Sequence, residues 1–289
     1  MKSINNSSYV QQNQIIMKRF LLTILSVMAF AGMTVAQDVY SVGYYTPSGE
    51  SYTKVAVYKN GSMLYSYGPN SSFNYQGVSV DRYNGDVYWA YNAYRSSDND
   101  QGSAVYKNGS AYLNITSSTG TKPKFYKVTV DRDYSAHVVA TVGSMLDGGV
   151  RKAVMWSGTN ATPSRVYGTG NYTSEATSAV WQDGWVYACG YQYTSESAYE
   201  GKVWKADEVV HTIANAKIWD IAYYNGTFYT VGTVLESGAY KLRVWSGTST
   251  LYTLVTSNAS NRASITIDAG DIYVTSYGGA APDKVWKNG

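Results

Sequence analysis

From about residue 39 onward, the apolar residues fall in short runs that are hydrophobic on both alternating faces. In Lys54 to Tyr58, Val55 and Val57 point one way while Ala56 and Tyr58 point the other. Such a run is a strand buried on both sides, where a strand with one wet face would alternate apolar with polar. The runs are rich in Val, Tyr, Trp and Thr and are broken every several residues by Gly, Asn or Asp, the composition of short strands joined by tight turns. No stretch of this region sustains a helical period.

The runs repeat. An aromatic residue closing a Val-rich strand recurs as Val57-Tyr58-Lys59-Asn60-Gly61, Val105-Tyr106-Lys107-Asn108-Gly109, Met155-Trp156-Ser157-Gly158, Val203-Trp204-Lys205, Val244-Trp245-Ser246-Gly247 and Val285-Trp286-Lys287-Asn288-Gly289. Successive aromatics stand 48, 50, 48, 41 and 41 residues apart. Before each comes a second element, such as Val39-Tyr40-Ser41-Val42-Gly43, Val186-Tyr187-Ala188-Cys189-Gly190 or Phe228-Tyr229-Thr230-Val231-Gly232. With a third run ending at sites such as Val78-Ser79-Val80-Asp81, and a fourth after the Asn-Gly turns, each period divides into strands A, B, C and D.

Four antiparallel strands in a repeating unit of 40 to 50 residues predict an all-β fold, a six-bladed β-propeller. The first blade starts at strand B and the last stops after strand C. The chain is therefore expected to be truncated at its C-terminus, with both end blades incomplete. An extension of about 20 residues, one half-period, would close the ring. Until then a weak seam is expected between the first and last blades, with an unpaired strand edge near Val39.

The N-terminus is different. Lys18 and Arg19 precede the apolar run Phe20 to Gly32, followed by Met-Thr-Val-Ala. That order is a secretory signal peptide, and its apolar run is shorter than the ~20 residues that span a bilayer. The reading sets residues 1–36 as an N-terminal extension plus signal, with the start at Met17 and cleavage after Ala36, and residues 37–289 as the propeller. The product is expected to be secreted or periplasmic and not membrane-spanning. No cysteine stands near the cleavage site, so a lipoprotein is not expected. Residues 1–36 carry three of the 23 basic side chains and none of the 20 acidic ones, leaving 20 of each in the rest. Such a neutral chain has no electrostatic footprint for nucleic acid.

Candidate chemistry is sparse. The single cysteine, Cys189, sits at an apolar position of a strand B and reads as a small buried hydrophobe. His137 and His211 have no neighbours that make a triad or a metal pair. Asp98 to Gly102 has part of a calcium-loop spacing without its closing Glu. No cofactor and no metal is expected. Most acids, among them Asp81, Asp131, Asp183 and Asp268, fall in turns; Glu175 and Asp220 are the acids placed near the axis.

The A–B and C–D turns are short and stereotyped, whereas the B–C and D–A connections vary and share one face of the disk. Variable loops on a rigid scaffold are the usual home of binding residues. This face is expected to carry ligand contacts from Tyr75, Tyr94, Tyr193, Trp219 and Tyr240, since Tyr and Trp offer a stacking surface and a polar tip.

The Asp-x-x-Gly-x-Val-Tyr-Val-x-Gly pattern resembles bacterial propeller repeats of the NHL-like type. Its Trp-Lys-Asn-Gly variant is similar to repeats of secreted proteins. The resemblance covers residues 39–289 and implies the fold alone, since propellers host many chemistries. The reading that follows is a secreted, non-catalytic binding module of the bacterial envelope, with a glycan or an envelope or extracellular protein as ligand. The alternative is a propeller-fold hydrolase or lyase acting on polysaccharide. The residues lean against catalysis without settling it.

Overall fold

The structure is a computed structural model that describes residues 38–50, 54–67, 73–81, 84–95, 100–116, 120–131, 138–257, 262–277 and 284–289. The expected signal peptide and cleavage site lie outside these residues, as do His137 and part of the calcium-like segment. Among the described residues, no helix is long and apolar enough to cross a membrane.

Tyr40–Gly289 is one compact unit of six antiparallel sheets, the six blades of a β-propeller. Blade 1 holds β1 (Tyr40–Tyr45), β2 (Lys54–Lys59) and β3 (Ser62–Tyr67). Blade 2 holds β4 (Phe73–Val80), β5 (Val87–Arg95), β6 (Asp100–Lys107) and β7 (Ser110–Ile115). Blade 3 holds β8 (Lys124–Val130), β9 (Val139–Asp147), β10 (Val150–Ser157) and the two-residue β11 (Arg165–Val166). Blade 4 holds β12 (Ser174–Gln182), β13 (Trp185–Tyr193), β14 (Tyr199–Lys205) and β15 (Glu208–Ala214). Blade 5 holds β16 (Ala216–Tyr224), β17 (Thr227–Glu236), β18 (Ala239–Ser246) and β19 (Ser249–Ser257). Blade 6 holds β20 (Arg262–Asp268), β21 (Asp271–Tyr277) and β22 (Lys284–Lys287). In every sheet the strands lie in chain order, so that each pairs with the next along the chain. At Asn225-Gly226 both central residues have positive φ, 46° and 80°, the geometry that matches strand twist in a two-residue hairpin and that Asn and Gly adopt at least cost.

The core lies between blades. Trp89, Trp156, Trp204 and Trp245 are all fully buried. Trp156 of strand C meets Phe125 of the same blade edge-on at 4.8 Å, in a cluster that also takes Val105 and Leu113 from blade 2. These aromatics are inter-blade packing. The last blade departs from the pattern of two apolar faces. In β20, Ala263 and Ile265 are buried while Arg262, Ser264 and Thr266 are exposed, and Val285 of β22 is 52% exposed. Among the described residues, no closely packed strand pair joins the first blade to the last.

One irregularity recurs. The inner strands β4, β8, β12 and β16 each carry a register shift near their start, between Tyr75 and Gly77, Phe125 and Lys127, Ala176 and Ser178, and Ile218 and Asp220. A bulge bends a strand and re-aims a side chain. Opposite three of them stands the glycine that closes the strand-B motif: Gly143, Gly190 and Gly232. A Cβ on Gly190 would overlap the carbonyl oxygen of Glu175 and lie 2.9 Å from its carbonyl carbon. At Gly143 and Gly232 the obstacle is the backbone carbonyl of Lys124 and of Lys217. The repeated glycine is thus the space into which the bulged backbone sinks.

Candidate functional site

The register of the inner strands assembles the site in tiers. At their starts, toward the B–C and D–A connections, equivalent positions hold Lys124, Glu175, Lys217 and Arg262. The bulge residues Tyr126, Thr177 and Trp219 come next. Below them lie Lys127, Ser178, Asp220 and Ser264. A pocket on the axis is lined by the three bulge residues, the four below them, Glu175 and Arg262. The bulge is the local reason: it turns one extra side chain per strand toward the axis while its neighbours Phe125, Ala176 and Ile218 stay buried between blades. The centres of water-sized molecules range over about 70 Å³ in this pocket. At roughly 10–15 Å³ per water that is room for about five waters.

Hydrogen bonds run around the axis from blade to blade. The side-chain amide of Asn92 in blade 2 donates to the Phe125 carbonyl at 2.8 Å and accepts from the Phe125 N–H at 2.7 Å in blade 3. The hydroxyls of Tyr126 and Tyr191 both donate to Glu175 Oε2, at 2.9 and 2.8 Å. Thr177 donates to the Ile218 carbonyl at 2.8 Å. Asp220 Oδ1 accepts from Ser178 Oγ at 2.5 Å and from its neighbour Ile221 N–H at 3.0 Å. Its Oδ2 accepts from Ile265 N–H at 3.0 Å. Asp220 therefore ties blades 4, 5 and 6 together, and both its oxygens are engaged. Burial first, and then the Glu175 charge, hold the phenols of Tyr126 and Tyr191 above the usual tyrosine range. Both stay protonated donors.

The cations are placed differently. Lys217 turns outward over blade 4, where its Nζ donates to Tyr193 Oη at 2.9 Å and lies 4.7, 5.0 and 5.0 Å from the ring centres of Tyr191, Tyr193 and Tyr199. Arg262 lies over the Trp219 ring at 5.6 Å. Burial, followed by the charge of Arg151, lowers the Lys124 ammonium below its ordinary range, with Arg262 adding to the effect and Glu175 opposing it.

The residues expected from the sequence fall as follows. Trp219 lines the pocket and is half-buried, with its indole N–H on Thr233 Oγ1 at 3.2 Å. Tyr193 and Tyr240 are half-buried at the same end of the disk. They sit on strands instead of loops, because hairpins thought to be open continue as ladders: β13 reaches Tyr193, and β17 and β18 run to a turn at Ser237-Gly238. Tyr75 and Tyr94 pair with Tyr91 and Gln101 in β4 and β5; their side chains lie outside the described residues. Glu175 and Asp220 are at the axis, as their positions indicated. Of the turn acids, Asp183 and Asp268 are exposed, but Asp81 and Asp131 are buried at the ends of inner strands. Cys189 is fully buried, as expected of a small hydrophobe. Sequence reasoning missed Tyr126, Lys127 and Arg262; for the first two the signal was the extra residue of the bulged β8 opposite the repeated glycine, whereas Arg262 stands on β20, which has no register shift. Among the described residues, no group of His, Cys, Asp or Glu has the proximity to hold a metal ion.

Compared with known proteins, the chain matches no family model and no curated sequence.

Proposed function

We propose that this propeller is an exported binding module that engages its ligand at the face where the inner strands begin, in keeping with the secreted NHL-like repeats its motifs resemble. A bacterial envelope or extracellular setting, with a glycan or protein ligand, accords with the signal-peptide pattern. The observation that carries the reading is the state of Asp220: all three of its hydrogen bonds serve inter-blade or local backbone structure, while the mouth around it presents aromatic and cationic groups. A rim of that kind recognises and holds; the buried carboxylate holds the scaffold.

The test is an array of glycans and envelope proteins probed with the purified propeller and with Trp219→Ala and Tyr193→Ala. Binding that weakens in the variants at an unchanged thermal midpoint supports the reading. Absence of any ligand, or binding indifferent to both changes, overturns it.

A second reading has its own observation: Glu175 and Asp220 line the same pocket, and paired carboxylates are the equipment of glycoside hydrolysis. Turnover of a polysaccharide that is abolished by Glu175→Gln would establish this enzyme and displace the binding module.

A further inference from the structure

We propose that the axial pocket receives the carboxylate of an acidic sugar, a uronate at the end of a glycan chain. The proposal rests on the reading of this face as a ligand-binding face and narrows it to one chemical class.

The charges that line the pocket are unequally matched. Lys127 and Arg262 are on its wall; neither has a carboxylate within ion-pair distance among the described residues. Arg151, held by the Lys122 carbonyl and Ser144 Oγ, stands close enough to act on Tyr126 and on Lys124 through its charge, and neither it nor Lys124 has an ion-pair partner among the described residues. Away from the axis the pattern is reversed. Lys107, Lys202, Lys241, Arg243 and Lys287 each pair with an Asp or Glu at 2.5 to 2.8 Å. The two acids of the pocket do not balance its cations, since Asp220 is saturated by three donors and Glu175 Oε2 takes two tyrosine hydroxyls. Two cations thus line the pocket with no ion-pair partner among the described residues, and two more stand near it. Each is the kind of group that strengthens on meeting a carboxylate in a partly desolvated site.

The rest of the lining selects among anions. A phosphate, with up to two negative charges, meets Glu175 and Asp220 in the same small space and is repelled by both. A uronate carries one charge on a ring of neutral hydroxyls. Its carboxylate suits Arg262 and Lys127, and Glu175 Oε1, which makes no hydrogen bond among the described residues, is available to accept a sugar hydroxyl. Trp219 and Tyr126 supply aromatic surface for the ring. The space, about five waters, takes a single terminal residue, with Tyr193 and Tyr240 farther out on the same face to meet the next ones.

The test titrates the full chain with trigalacturonate, its methyl ester and neutral cellotriose, following tryptophan fluorescence and calorimetry at low and high salt. Binding of the acid at least tenfold tighter than the ester, weakening as salt rises, is the expected result. Arg262→Gln and Lys127→Gln should each remove at least tenfold of that preference at an unchanged thermal midpoint. Equal affinity for acid, ester and neutral trimer, or preference untouched by both variants, overturns the uronate proposal. Cellotriose or a protein ligand binding in a Trp219-dependent way without acid preference does the same while leaving the binding-face reading intact. Failure of every ligand at this face defeats both.

Discussion

The backbone carbonyl of Glu175 occupies the space in which Gly190 would carry a side chain. That single contact joins three levels of the molecule: the repeated sequence motif, the bulge it permits and the axial pocket the bulge creates.

Gly190→Ala should therefore destabilise the protein by about 3 kcal/mol, since the methyl group must displace rigid backbone. Gly43 occupies the same motif position in blade 1, where, among the described residues, a Cβ would meet nothing closer than Tyr58 Cε2 at 4.0 Å. Gly43→Ala should leave the thermal midpoint within a degree or so of wild type. Paired melting curves check both; equal effects would remove the bulge as the motif's cause.

Asp220→Ala strands the hydroxyl of Ser178 and the Ile265 N–H, so stability should fall by about 3 kcal/mol. Asp220→Asn keeps an acceptor and should lose roughly half as much. Denaturant unfolding measures the difference. A change in ligand affinity without loss of stability would contradict the structural role given to this carboxylate.

Burial raises the Cys189 thiol well above its ordinary range, with the Asp220 charge adding to it. A thiol held protonated and out of contact with solvent is inert. Labelling by a disulfide reagent at pH 8 should be at least about a hundredfold slower in native protein than in denaturant.

Burial lowers the pKa of His211 below 6.5. Above that pH the ring is neutral in folded and unfolded chains alike and adds no pH dependence. As the pH falls below 6.5, the unfolded chain takes a proton that the folded chain resists, so stability declines until the folded ring is protonated too. His211→Gln should flatten this part of the profile between pH 7 and pH 5, a difference that paired unfolding curves at several pH values will show.

The scaffold was legible because its rule is repetitive. Val-Tyr-x-Val-Gly and the aromatic of strand C recur at near-constant spacing, and burial on both faces follows from stacking blades. The site was legible only in part. Glu175 and Asp220 were placed correctly by counting along inner strands, and Trp219 was found as an aromatic. Tyr126 and Lys127 were not, because a bulge shifts the alternation by one residue and reverses which side chains face the axis; Arg262, at the start of the unbulged β20, stands on no motif that marks it. Tyr193 and Tyr240 were read as loop residues because polar, Tyr-rich hairpin ends look like loops when cross-strand pairing is invisible.

The bulge also divides two structural duties between neighbouring residues. Gln76, Tyr126, Thr177 and Trp219 share a position and nothing else, whereas the residues before them in β8, β12 and β16, Phe125, Ala176 and Ile218, are uniformly apolar and buried. Tyr126, Thr177 and Trp219 shape what the pocket displays, with Tyr126 and Thr177 also bonding to the next blade, while the apolar packing between blades is made by the residue before each. The chemistry that lines the pocket can therefore differ from blade to blade while the apolar packing of the disk stays the same.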